Sequence, residues 1–305
     1  MGIQGLVNIK KAISSLNPDQ VRQLAAHEAR IALVADNAEA FERMERFLLR
    51  DLSPDRARQS SRLLARQPNP PAGAYDLTLY DEETIAPPNS FVFRGANPEQ
   101  VVEQVLDSVG DMGVSLARSF QPFRRPFIER AIARTCKENT LFSLATALPD
   151  VIPSIIELPW AIAEFASDTA FLTMNQLRMA FFIAAASDRP VGYREQKSEI
   201  ATVIASAFGW RALARQAVGK IPFGGGLIGK AAVAYAGTRV VGLSLDRLYA
   251  IGYNYTREER ERLYADALQK GKDAAGRLLS HLRPDLAARF VAKKSARQAS
   301  GNGAA

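Results

Sequence analysis

The sequence predicts an α+β protein: a small N-terminal α/β layer with a few mainly parallel strands, followed by an all-α hydrophobic helical domain. Three observations predict it. Short apolar runs alternate with amphipathic helical periods up to about residue 117. From Asn139 the chain turns rich in small and apolar residues, and residues 139–187 hold only five charged side chains. The 305 residues are 47% apolar and 23% charged, enough to bury a real core and at odds with wholesale disorder.

Taken in order, residues 3–15 have the spacing of a short amphipathic helix within an N-terminal arm, 1–28. The run 29–35 (ARIALVA), closed by Asp36-Asn37, reads as a buried strand. Ala38, Phe41, Met44, Phe47 and Leu48 then recur at helical spacing over 38–50, and a second helix is expected over about 54–66. After the Pro-rich breaker 67–73 (QPNPPAG), 75–80 and 91–93 are further strand candidates. Asn97-Pro98-Glu99-Gln100 looks like a helix start with Asn97 as its cap. These elements make a layer over 29–117.

The helical domain is expected over 118–292, with apolar helices within 139–187, 200–218 and 227–249. A long helix is expected from about Trp160 to Ser187. A polar helix over 256–270 follows, opened by a Thr256/Glu259 capping box. Residues 293–305, small, polar and basic, read as a disordered tail.

Composition excludes several chemistries. One cysteine, Cys136, rules out a disulfide framework or a cysteine-based metal centre, and two histidines, His27 and His281, leave little for triad chemistry. No metal, no cofactor and no catalytic residue is expected. No secretory leader is visible at the start, and Leu6 stands where an N-myristoylation signal needs Ser or Thr. A phosphate cradle after the first strand would need glycines and a lysine; the chain has Asp36-Asn37-Ala38-Glu39 there, whose acids repel a phosphate. Asp81-Glu82-Glu83 reads as a solvated turn rather than a metal site. Gly224 to Lys230 (GGGLIGK) matches a phosphate-binding loop as far as the lysine, but Ala231 replaces the metal-holding hydroxyl and no strand precedes it. A tight interhelical turn is expected instead, with Pro222 ending one helix and Gly224, Gly225 and Gly226 turning the chain. Gly229 and Gly237 then permit close helix packing.

The charge pattern points toward a membrane. Net charge is +7, with 39 Lys and Arg against 32 Asp and Glu, which favours anionic partners weakly. Arg124, Arg125, Arg130 and Arg134 precede the apolar part and are candidates for an anionic lipid surface. Glu164, Asp168 and Asn175 share one helical face, a polar stripe for which Lys230, Arg239 and Arg247 are candidate partners. A charge interrupts each of the longest apolar stretches, which makes autonomous spanning marginal. Two alternatives stand beside association with lipid: a soluble helical bundle, and a protein partner or second copy meeting the small-residue helices. Nucleic acid is not expected.

Segment 139–252 resembles the bacterial YcjF-like domain of unknown function, which is often attached behind GTPase domains. The likeness lies in NTLFSLATALPDVIP (139–153), LTMNQLRMAFFIAAA (172–186) and AFGWRALARQAVGKIPFGGGLIGKAAVAYAGTRVVG (207–242). Its more specific parts are the Asn-Gln pair, the Pro-Phe-Gly-Gly-Gly turn and the Ala/Gly helix carrying Thr238. It covers a little over a third of the chain and implies a hydrophobic helical domain, commonly membrane-associated, without established catalytic activity. The preceding layer lacks a GTPase's Gly-Lys-Ser loop, and Asp81-Glu82-Glu83-Thr84 stands where DxxG would, so the resemblance implies a pseudo-GTPase at most. The expectation is therefore a non-catalytic protein at the cytoplasmic side of the cell membrane, peripheral or inserted as a helix hairpin. The α/β layer would act as its interaction module. A GTPase-like nucleotide-binding regulator and a soluble partner-binding protein are the alternatives.

Overall fold

The structure, a computed structural model, describes residues 16–146, 168–203 and 226–282. The protein is mostly helical with one small parallel sheet near the N-terminus, an α+β architecture. It divides into two compact units: an α/β unit of Asn17–Ala131 with Phe181–Gln196, and a helical unit of the described residues 132–146, 168–180, 197–203 and 226–282.

In the α/β unit, α1 (Asp19–Ala26) leads into β1 (Ile31–Val34), α2 (Ala38–Leu48), α3 (Pro54–Ser61), β2 (Leu64–Arg66), β3 (Leu77–Asp81), β4 (Phe91–Phe93), α4 (Glu99–Val109) and α5 (Gly113–Ser119). The strands are all parallel in the order β2-β1-β3-β4. All four β1 residues are buried, as expected of a central parallel strand covered on both faces. β3 alternates, burying Leu77, Leu79 and Asp81. Met44, Phe47 and Leu48 of α2 and Val101, Val105 and Leu106 of α4 complete this core, with Phe47 and Phe93 tilted at 5.4 Å between centroids. Gly113 lets α5 pack tightly: a Cβ there would lie 2.7 Å from Leu106 Cδ2.

Two local expectations are corrected. The helix expected to run to residue 66 stops at Ser61, and Leu64–Arg66 pairs instead with Ile31–Leu33 as an edge strand. Three residues are too few to show an alternating pattern, so the ladder of the neighbouring strand decides their conformation. Asn97 does not cap α4 through its side chain; Pro98 holds helical φ and ψ and the helix starts at Glu99.

α6 (Gln121–Ala145) and α7 (Asp168–Ala186) each have residues in both units, while α8 (Gly226–Ile251) and α9 (Arg257–Leu282) belong to the helical unit. The bounds of α8 nearly match the expected 227–249, and α9 extends well beyond the expected 270. α9 opens with a reciprocal capping box: Thr256 N donates to Glu259 Oε2 at 2.7 Å and Glu259 N to Thr256 Oγ1 at 3.2 Å. α7 is buried nearly all round, as an apolar helix with no polar face must be. α8 and α9 pack through Ala236, Val240 and Ala267, with Ala231, Leu144 and Ala275 forming a second cluster. They approach closely at Gly271, where a Cβ would sit 2.8 Å from the Ala232 carbonyl oxygen.

Candidate functional site

Open parallel sheets place ligands beyond the carboxyl ends of their strands, where the strand order reverses. Here that point lies between β1 and β3, and its polar groups hold one another. Asn37 Oδ1 accepts the Ala40 N–H at 2.8 Å, taking a donor that an incoming phosphate would use. Asp81 is not solvated as expected but buried, 1% exposed, and paired with Arg43 Nη2 at 2.9 Å. That hydrogen bond raises the Arg43 pKa further. Asp81 also accepts from Glu83 N, and Glu82 Oε1 from Gly95 N at 2.9 Å. The acids thus build the loop after β3. Among the described residues no group of three or more His, Cys, Asp or Glu side chains could hold a metal ion.

The opposite end of the sheet is different. Residues that precede β1 and β2 line a groove of about 570 Å³ carrying His27, Arg30, Arg56, Arg62 and Arg118 against one acid, Glu28. Arg30 and Arg62 are exposed. His27 Nε2 lies 2.7 Å from Asp76 Oδ1, while Asp76 Oδ2 accepts from Arg30 N at 2.8 Å. Burial pushes the Asp76 carboxyl up, but the Arg30 amide and His27 outweigh it and hold its pKa below the ordinary value.

Arg56 also lines a neighbouring cavity of about 280 Å³, together with Ser53, Gln121, Arg124, Asp188 and Arg189. Its key residue is Asp188. After α7, Asp188 adopts φ 55° and closes the helix with paired bonds, Asp188 N to Ala185 O at 3.1 Å and Arg189 N to Ala184 O at 2.8 Å. Its carboxylate holds Arg56 at 3.0 Å and Arg118 at 2.9 Å. Among the described residues no carboxylate pairs with Arg124. Its guanidinium donates only to the carbonyls of Ala117 and Arg118, both at a long 3.4 Å. Burial lowers its pKa, Asp188 opposes that shift and Arg56 adds to it.

The other expected lipid-facing arginines are engaged within the protein. Arg125 pairs with Glu129 at 3.0 Å, and Arg130 with Glu103 at 2.6 Å and Asp107 at 2.8 Å. Arg134 is half-buried. Of the polar stripe, Asn175 meets an amide rather than a cation. Glu164 and the Asp168 side chain lie outside the described residues, as do Pro222, Gly224 and Gly225. Lys230 reaches Thr146 Oγ1 at 3.4 Å and Arg247 pairs with Glu259 at 3.4 Å. Arg239 hydrogen-bonds Tyr235. Gly229 and Gly237 are buried in α8, whereas a Cβ on Gly226 would meet nothing within 4 Å.

The helical unit gathers a second cluster. Asn139 Nδ2 donates to Thr238 Oγ1 at 2.8 Å, Asn175 Nδ2 to Asn139 Oδ1 at 3.0 Å, and Gln176 Nε2 to Thr238 Oγ1 at 3.2 Å. All four side chains are buried, and the carbonyl oxygens of Asn175 and Gln176 accept no hydrogen bond from the described residues. Sequence reasoning had singled out the Asn-Gln pair and Thr238 but not Asn139, their shared partner, nor Asp188, the hub of the arginine cluster. Neither carries a local signal: each acts through contacts far away in the chain.

Among the described residues no helix is long and apolar enough to cross a membrane. The chain matches no family model, no curated protein and no solved structure.

Proposed function

We propose that this chain is a non-catalytic protein that associates with the cytoplasmic face of the cell membrane, its α/β unit acting as the interaction module. One observation carries the reading: the exposed Arg30 and Arg62 stand on the groove at the amino ends of the strands, where Glu28 is the one acid of the lining, while Arg56 and Arg118 on its wall are held by Asp188. A concave surface with an excess of positive charge attracts anionic headgroups and concentrates them. The apolar sequence of segments 139–187 and 200–218 supports a second contact with lipid.

Flotation of the full-length protein with vesicles tests this. Vesicles containing phosphatidylglycerol should carry the protein, and pure phosphatidylcholine vesicles should carry less. The exposed pair Arg30→Glu and Arg62→Glu should reduce flotation at least fivefold while circular dichroism stays unchanged. Equal partition to both lipids, or none to either, overturns the proposal. A carbonate wash then separates insertion from surface binding.

A further inference from the structure

The helical unit carries buried polar groups that its own contacts leave unmatched. Asn139, Asn175, Gln176 and Thr238 are each at most 5% exposed. The hydrogens of their network can be assigned one by one. Thr238 has a single hydroxyl hydrogen and gives it to the Ala234 carbonyl oxygen at 2.8 Å. Its oxygen therefore only accepts, from Asn139 Nδ2 and Gln176 Nε2. Asn139 must then present Oδ1 to Asn175 Nδ2. Turning any of the three carboxamides around would set oxygen against oxygen with no hydrogen between them. The network thus fixes Asn175 Oδ1 and Gln176 Oε1 as acceptors without a donor among the described residues.

Two hydroxyls complete the surplus. Thr173 and Ser143 are buried, and neither hydroxyl has a partner among the described residues. Thr173 lies one turn before Gln176 and Ser143 one turn after Asn139, on the same helix faces. A Phe142–Phe171 stack, 3.9 Å between centroids, holds α6 and α7 together next to them in sequence. Two acceptors need hydrogens, and two hydroxyls have hydrogens to give.

We propose that the contact of α6, α7 and α8 is a binding site for ordered water, which donates to Asn175 Oδ1 and Gln176 Oε1 and accepts from Thr173 and Ser143. Water gives two hydrogens and takes two, the same balance as the surplus. A cation would satisfy the oxygens alone. It would leave the hydroxyl hydrogens stranded, and the one buried carboxylate among the described residues, Asp81, belongs to the α/β unit. The bound water completes the hydrogen bonding that joins the three helices through the Asn-Gln pair and Thr238. The site lies inside the helical unit and does not rest on the lipid reading.

Magnetic relaxation dispersion of the water signal counts molecules that stay in a protein longer than it takes to tumble. Full-length protein in vesicle-free buffer should show such water. Gln176→Met keeps the length of the side chain and removes its oxygen, so it should show at least one molecule fewer while still melting cooperatively. An unchanged count overturns the proposal. A high-resolution crystal structure of the unaltered protein decides the same point without a variant. Ordered water within about 3.2 Å of each carboxamide oxygen is expected. Either oxygen without water overturns the proposal, whether a protein donor or nothing stands there. The melting temperature should be equal in sodium, potassium and choline chloride at one ionic strength, because water is present in all three. A saturable rise with sodium or potassium alone assigns a cation to the site and overturns the proposal. Flotation can fail while every one of these results stands, so the two proposals fail separately.

Discussion

Cys136 illustrates how burial overrules neighbouring sequence. Arg134 and Lys137 flank it, and cations lower a thiol pKa. In the fold its Sγ contacts the Tyr235 carbonyl oxygen at 3.6 Å, and burial pushes the thiol up to about 12, with Arg239 opposing only weakly. Native protein at pH 8 should therefore react with a maleimide only at the rate of unfolding, and denaturant should release the thiol at once. Reaction at the rate of a free cysteine would contradict this burial. Thr238 offers a second test. Thr238→Val keeps the volume but removes the acceptor of Asn139 and Gln176, leaving two buried donors unmatched. Each unmatched donor costs about 1–3 kcal/mol, so a drop in this range or above is expected in a urea titration. A loss below about 0.5 kcal/mol would mean that water replaces the hydroxyl.

At the scale of the element, α9 contains two glycines with opposite roles. At Gly271 a Cβ would meet the Ala232 carbonyl oxygen at 2.8 Å and Tyr235 Cβ at 3.0 Å, so α8 would have to move. At Gly276 nothing lies within 4 Å. Alanine gains about 1 kcal/mol over glycine in a helix interior. Gly276→Ala should show that gain as a higher melting temperature, whereas Gly271→Ala should lose about 1–3 kcal/mol to overpacking against a backbone atom. The start of the same helix responds to pH. The Thr256 amide, and then Arg247, hold the Glu259 carboxyl below its ordinary pKa. A depressed carboxylate contributes stability above its unfolded value and loses it as pH falls through the folded one. Replacing Glu259 by Gln should flatten this part of the acid limb of the stability curve and leave the alkaline limb unchanged.

For the whole molecule, a net charge of +7 and the arginine groove predict binding that salt weakens. Partition to phosphatidylglycerol vesicles should fall several-fold between 50 mM and 300 mM salt, because the Debye length shrinks below the depth of the headgroup layer. Salt-insensitive partition would assign the interaction to the apolar segments instead.

β1, α2, α8 and the Thr256/Glu259 box were legible in the sequence. Each is written by residues within a few positions of one another, as a run, a helical period or a cap. The strand Leu64–Arg66 was not, because a three-residue edge is decided by the ladder it joins. The arginines around the cavity were visible only as composition; Arg124 was singled out as an anion contact, while Arg56 and Asp188 were not.

The sequence by itself determined the order of the elements, the absence of a phosphate-gripping loop after β1 and the apolar character of the later helices. These follow from short-range periodicity and from which side chains are present. The tertiary structure alone decided that Asp188 clasps Arg56 and Arg118, and that Asn139 joins Asn175 and Thr238. Such contacts join residues tens to more than a hundred positions apart. Their energy comes from desolvation and hydrogen-bond geometry, which exist only once the chain has closed around them.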